Sequence, residues 1–398
     1  MSATILSARE VFARVYPILS RHDALFKVPS RLDFLTLLNS GIPDFSQIGK
    51  FLTVYPRSAD EAVIIARELH RATRGLAGPR VPFDVPYRRN SLVHYRYGAF
   101  RPSPKNGHGV VFSPTGRRHM DLRAPGKAIP RWVVNPFNKT QGNPRPNGPI
   151  GEKFLVFEVK MQRGKGGVYE AVDLCTSPAR VVIIKEGRRH GETDWGGKDG
   201  YARLIHEAHV LRSLRRERLP VPKILLEFVW GRRRYLALEK VPGRSLVPSN
   251  RTQPAKSSWR RAAKILGQLE PLLAKMHRSG WVWRDCKPNH IFLSGGEIHL
   301  IDFEGACRIS ETSVLRWGSP NYLPAVCRKQ FAARRPGTLE DDYALGVIAF
   351  QFLSGEFPGS SSRSRAAVYQ RARCPDWLRV KIETLLRCDI PTNARKLR

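Results

Sequence analysis

The apolar positions change their period twice along the chain. In the first eighty residues they recur at helical spacing: Phe34, Leu37 and Leu38 fit one stripe, and residues 60–73 (DEAVIIARELHRAT) predict an amphipathic helix. Between these stretches, residues 49–55 read as a strand that Pro56 ends, and residues 91–100 form a second strand-like run. Residues 101–150 are rich in Pro, Gly, Asn and Arg, and 135–150 (NPFNKTQGNPRPNGPI) predict a linker. From Phe154 the texture turns to strands. Residues 168–174 and 180–185 read as neighbours, 201–216 as a helix, and 225–229 and 234–240 as two strands about a turn at Gly231. After Gly243 helical spacing returns, interrupted by one hairpin: residues 291–293, a turn at Ser294-Gly295-Gly296, and residues 298–301. The pattern predicts an α+β chain with an N-terminal domain over 1–134, a linker over 135–150, and a second domain over 151–398. That second domain divides into a small β-rich lobe of about 151–241 and a larger helical lobe of about 242–398.

Composition adds a charge argument. The 398 residues carry 68 basic and 34 acidic side chains, a formal charge of +34 spread through the whole chain. Such an excess selects acidic partners, which are nucleic acid, an anionic membrane or an acidic peptide, unless it only reflects an arginine-rich genome; nucleic acid is possible but not favoured. The six cysteines form no Cys-x-x-Cys pair and no tight Cys/His cluster, which excludes a disulfide framework and a zinc site and predicts reduced thiols. No apolar run approaches 18 residues and the N-terminus lacks a basic start before an apolar core, so a cytoplasmic protein with no membrane partner is expected.

Candidate chemistry concentrates in residues 281–306, WVWRDCKPNHIFLSGGEIHLIDFEGA. Asp285 is followed by Lys287, Asn289 and His290, then by the hairpin, which ends at Asp302. Phosphoryl transfer needs two such acids, one to orient the attacking hydroxyl and one to hold the metal that bridges the phosphates. The spacing resembles the catalytic loop and Asp-Phe-Gly segment of protein kinases, with Asp302-Phe303-Glu304 in the second place. The remaining parts follow in order. Lys185 ends an apolar strand, Glu207 lies 22 residues later in a helix, and Glu239-Lys240-Val241 follows a strand where a hinge belongs. The kinase resemblance implies ATP with Mg²⁺ or Mn²⁺ as cofactors, and a peptide or protein substrate bearing Ser or Thr. It implies Lys185, paired with Glu207, on the phosphates; the backbone of Glu239 and Val241 on the adenine; and Asp341 bracing the catalytic loop. Three departures stand out. Gly164, Gly166 and Gly167 make a compressed glycine loop whose amides are expected to cradle phosphates. Glu304 precedes the glycine, now Gly305. His290 stands where a metal-binding asparagine is expected, with Asn289 as the neighbour able to compensate.

The resemblance narrows further. Gly166-Gly167-Val168-Tyr169, Lys185-Glu186-Gly187-Arg188-Arg189-His190 and Leu300-Ile301-Asp302-Phe303-Glu304-Gly305-Ala306 resemble the kinase domain of class III lanthipeptide synthetases. Phe26-Lys27, Gly49-Lys50-Phe51 through Tyr55-Pro56, residues 94–100 (HYRYGAF) and Pro130-Arg131-Trp132-Val133 resemble the lyase domain that precedes it. The family's zinc cyclase has no counterpart in this sequence. The resemblance implies a peptide dehydratase, in which phosphorylation of Ser or Thr is followed by elimination of phosphate. Lys27, Lys50 and Arg96 are then candidates to take the Cα proton and receive the phosphate, and His22 or His94 to act as acid. Two rivals remain: a plain Ser/Thr kinase with an N-terminal docking domain, and a catalytically weak kinase fold that binds an acidic partner.

Overall fold

Amphipathic helices build the start of the chain, as their spacing predicts. The computed structural model describes residues 1–99, 109–137, 148–246, 258–328, 334–359 and 361–387. Helix Ala8–Arg21 buries Val11, Val15 and Leu19, and helix Ala59–Ala72 buries Ile65, Ala66 and Leu69 against it. Ser58 caps the second helix by accepting the N–H of Glu61 at 3.1 Å, which satisfies one of the unpaired first-turn donors. The helix expected near Phe34 exists as Leu32–Ser40, but it turns a different face inward. Phe34 and Leu37 are exposed, while Leu35 and Asn39 are buried. The cause is polar: Asn39 donates to the Ala3 carbonyl at 3.0 Å and accepts the Gly49 N–H at 3.1 Å, and these bonds fix the helix by its amide side. The strand predicted over 49–55 shrinks to Thr53–Tyr55, paired antiparallel with Leu25–Lys27. Of residues 91–100 only His94–Tyr95 is strand, and Phe100 lies outside the described residues.

The described residues divide into two compact units, Met1–Leu204 with Glu227–Ala237, and Ile205–Leu226 with Leu238–Arg398. The first unit holds both the N-terminal helices and most of a five-stranded sheet. In order across that sheet run Ile224–Trp230, Arg233–Glu239, Arg180–Gly187, Gly167–Asp173 and Phe154–Gln162. Part of the stretch read as a linker, residues 138–147, lies outside the described residues.

The second unit is mainly helical. Helix Leu339–Ser354 is almost entirely buried and packs against both Ser258–Arg278 and Asp376–Leu386. The predicted hairpin is present as Ile291–Ser294 paired with Glu297–Leu300, with Arg244–Ser245 added on its outer edge. A mixed fold of helix and strand is what the apolar pattern led one to expect.

Candidate active site

Within the second unit the catalytic loop is hung from the buried central helix. The Asp341 carboxylate, fully buried, accepts the backbone N–H groups of Trp283 at 2.8 Å and Arg284 at 2.7 Å, and lies 2.9 Å from Nε2 of His277. Arg284 has φ +71° and is itself buried. Its guanidinium faces Glu340 at 3.1 Å and donates to the carbonyls of Gly305 and Leu315. A charge buried with a partner and several hydrogen bonds is a rigid support, because any displacement strands it without water.

Asp285 emerges from this support half-buried. Its Oδ1 accepts the N–H of Ser319 at 3.1 Å and the Ser319 hydroxyl at 3.2 Å. Lys287 Nζ donates to Oδ2 at 2.9 Å and to Ser319 Oγ at 3.0 Å. The carboxylate is thus held in one orientation with a cation beside it, which suits a group that positions a hydroxyl for transfer.

His290 lies between the two acids. Its Nδ1 is 3.0 Å from the Asp285 carbonyl and 3.5 Å from the Asp285 carboxylate, and its Nε2 is 3.2 Å from Asp302 Oδ2. One ligand atom each from Asp285, His290 and Asp302 falls within 4.8 Å of the others, a donor set that fits a divalent cation. Burial lowers the proton affinity of His290 against the pull of Asp302 and Asp285, which favours the neutral imidazole that ligation requires. Asn289 is exposed, and the cluster is made with His290 instead.

Asp302 has φ +67°, and its carbonyl accepts the indole N–H of the buried Trp283 at 2.9 Å. Phe303, fully buried, stacks on Trp283 with centroids 5.4 Å apart and donates its N–H to the buried Glu207 at 3.2 Å. The shifted glycine has a steric reason: a Cβ on Gly305 would sit 1.8 Å from Nε1 of Trp317. The crowded position is Gly305, so position 304 tolerates a glutamate. Glu239 exchanges backbone contact with Lys223, donating to its carbonyl at 2.9 Å, and Val241 is half-buried just beyond the strand.

In the first unit, Lys185 is half-buried on its strand opposite Val168. The glycine loop is a tight turn joining Phe154–Gln162 to Gly167–Asp173, and its amides are occupied. The Gly164 N–H donates to the Ser40 carbonyl at 2.9 Å, that of Lys165 to Glu192 at 3.4 Å, and that of Gly166 to the Arg163 carbonyl at 3.3 Å. Gly167 is already paired in the sheet with Gln162. A Cβ on Gly164 would lie 1.8 Å from the Asn39 carbonyl oxygen. The cradle expected of Gly164 and Gly166 is therefore corrected: the turn is too short to leave amides pointing outward, and it is docked on the end of helix Leu32–Ser40.

The candidates of the N-terminal part are only partly gathered. Lys50 is half-buried in the field of Asp84, Arg123, Arg96 and Asp44, and burial depresses its pKa to about 8. Asp84 is pushed up by burial, and its Oδ1 is buried without a hydrogen-bond partner. Arg96 is bound by Asp121, which also accepts the Ala99 N–H at 3.1 Å, and the Arg96 Nε is a second unpartnered buried atom. Buried polar atoms left without a partner call for an explanation, and a polar ligand is one. Lys27 is exposed on its strand opposite Thr53, with Nζ 5.8 Å from the centre of the Tyr55 ring. His94 is unsuited to acid catalysis: Nδ1 lies 3.2 Å from the Leu92 carbonyl, Nε2 accepts the Val81 N–H at 3.4 Å, and burial drives its pKa down to about 3. His22 lies 3.1 Å from Glu68.

Ser319, Glu340 and Asp84 were not singled out by sequence reasoning. The first stands in Gly318-Ser319-Pro320-Asn321-Tyr322-Leu323-Pro324, a stretch that resembles the end of a kinase activation segment and so offers a signal; the other two offer none.

Comparison with known proteins agrees with this geometry. Residues 157–394 match the protein kinase domain family, and residues 1–148 match the family described as RamC, N-terminal domain. The chain is 29% identical over 370 residues to a probable SapB synthase of Streptomyces coelicolor, covering 87% of this chain and 38% of that protein. It is 28% identical to the probable serine/threonine-protein kinase PknB of Lactococcus lactis over 52% of this chain and 33% of that one. It is 31% identical to the serine/threonine-protein kinase PrkC of Bacillus subtilis, over 57% and 34%. The chain therefore spans between 33% and 38% of the length of these relatives. No helix among the described residues is long and apolar enough to cross a membrane.

Proposed function

Because the chain belongs to the protein kinase domain family, we propose that it transfers the terminal phosphoryl group of ATP to a Ser or Thr of a peptide and then eliminates the phosphate. On this reading residues 151–398 carry the transfer, residues 1–134 the elimination, and 135–150 join them in a cytoplasmic enzyme. The observation that carries it is the convergence of Asp285, His290 and Asp302 within 4.8 Å.

Asp285, fixed by Ser319 and Lys287, orients the substrate hydroxyl and accepts its proton as that oxygen bonds to the terminal phosphorus of ATP and the bond from this phosphorus to ADP breaks. Lys287 offsets the charge that develops on the transferred group. Asp302 and His290 would hold a divalent ion, which when bound would neutralise charge on the nucleotide phosphates. Lys185 binds the phosphates, and the backbone of Glu239 and Val241 binds the adenine.

For the elimination, Lys50 is the base. With a pKa near 8 a fraction of it is neutral at physiological pH and able to take the Cα proton. The C–H electron pair becomes the new double bond, the Cβ–O bond breaks, and phosphate leaves toward the cationic groups of Arg96 and Lys27. The rival, a catalytically weak kinase fold, is favoured by one observation, the occupied amides of the glycine turn. Mass spectrometry of a Ser/Thr peptide incubated with ATP and Mg²⁺ or Mn²⁺ separates the readings. Loss of one water supports the proposal, stable phosphopeptide supports a plain kinase with a docking domain, and an unchanged mass under both metals supports the weak fold.

A further inference from the structure

The first unit contains a cavity of about 550 Å³ that neither chemistry above uses. One wall comes from residues 76–94 and carries Arg80, Arg88 and Arg89. The other comes from two turns of the five-stranded sheet and carries Arg188, Arg189, Arg232 and Arg233. Among the described residues, no aspartate or glutamate lines it. Lys50, Arg96 and Asp84 are not part of it.

Two of these arginines are held by one acid. Arg188 is held by the Arg163 carbonyl at 2.9 Å, Gln162 Oε1 at 2.7 Å and Glu186 at 3.0 Å. Arg233 reaches the same Glu186 carboxylate at 2.7 Å. That acid is wholly buried behind the lining, so one carboxylate serves two guanidiniums. Arg88, Arg89, Arg189 and Arg232 are exposed at the rim. Like charges crowded against low-dielectric walls repel one another and focus a positive potential into the cavity, an arrangement that is relieved when an anion enters. Guanidinium pairs bind tetrahedral oxyanions in a bidentate manner, and each phosphate dianion offsets two of them. The volume suits a short ligand segment.

We propose that this cleft binds the phosphorylated form of the peptide substrate, separately from the Lys50 group, and so retains the phosphopeptide between the two reactions. The inference rests on the proposed kinase activity for the source of its ligand.

The test is fluorescence anisotropy on the full chain with four probes: a labelled Ser peptide, its phosphonate analogue, its Glu analogue, and a single-stranded oligonucleotide of matched charge. The phosphonate has no ester oxygen to expel, so elimination cannot consume it. It should bind at least ten-fold more tightly than the Ser peptide and more tightly than the Glu analogue. The variant R88S/R89S/R232S, changed only at exposed tips, should lose that margin while keeping the wild-type melting temperature. The charge-preserving R88K/R89K/R232K should fall between, because an ammonium keeps the charge and loses the fork. Equal binding of phosphonate and Ser peptide overturns the proposal, as does a margin that survives R88S/R89S/R232S. Tighter binding of the oligonucleotide, lost in the same variant, overturns it in favour of a nucleic-acid site. Failure of the functional reading is visible separately, since phosphonate binding requires neither ATP nor metal. A protein that binds the phosphonate yet phosphorylates no peptide refutes the kinase reading and leaves the cleft.

Discussion

The Nε2 of His290 stands 3.2 Å from the carboxylate of Asp302, so an imidazole occupies the place beside the acid proposed to bind the metal, where a side-chain amide was expected. Imidazole is a poor ligand for Mg²⁺ and a better one for Mn²⁺ and later divalent ions. The nucleotide-linked rise in melting temperature should accordingly be larger with Mn²⁺ than with Mg²⁺. His290→Asn should reverse that order. Thermal shift with ATP across a metal series measures it; the same order in both proteins would show that His290 does not set the preference.

Asp341 predicts a structural loss with a catalytic consequence. Its carboxylate accepts two backbone N–H groups and faces His277 in a fully buried place. Asp341→Asn puts an NH₂ where an acceptor is needed and leaves a buried donor unpaired. The expected cost is roughly 3 kcal/mol, read as a lower denaturant midpoint at unchanged slope. Phosphorylation should fall with it, since Asp285 hangs from the same two amides' segment.

Legibility followed sequence distance. The catalytic loop, hairpin and second acid lie within 281–306, where their order and spacing carry the kinase resemblance, and Asp341 follows from that same resemblance rather than from the apolar pattern. The inward face of Leu32–Ser40 was misread because two hydrogen bonds of Asn39, to Ala3 and Gly49, outweigh the exposure of Phe34 and Leu37, and a hydrophobic stripe carries no record of such bonds. The occupied amides of the glycine turn and the arginine cleft escaped notice for the same reason. Each is assembled from segments a hundred or more residues apart, Ser40 with Gly164 and Arg88 with Arg188.

Lys50 gives a pH prediction. The folded pKa of about 8 lies below the ordinary 10.5, so elimination from a phosphopeptide should quicken about ten-fold per pH unit below 8 and level off above it. Stability follows the same linkage. Between pH 8 and 10.5 the unfolded chain binds the proton that folded Lys50 has lost, so stability rises with pH across that window. Lys50→Met should flatten both profiles. A rate profile of unchanged shape in that variant would remove Lys50 from the chemistry.

The two halves should fail differently. Asp285→Asn should leave a Ser peptide unmodified and still release phosphate from a synthetic phosphopeptide. Lys50→Met should instead accumulate phosphopeptide. Mass spectrometry reads both, and a single shared phenotype would mean that one site performs both steps.

The bond from Gly164 to the Ser40 carbonyl bears on how such a chain is inherited. The glycine turn is completed by the end of helix Leu32–Ser40, where even one methyl group at Gly164 would collide with the Asn39 carbonyl. A gene cut within 135–150 would yield a kinase fragment missing part of its own architecture, and fusing that fragment to a foreign partner would not restore it. The halves are thus poor currency for domain shuffling, and a change at Asn39, Ser40 or Gly164 is tolerable only when the facing surface changes with it.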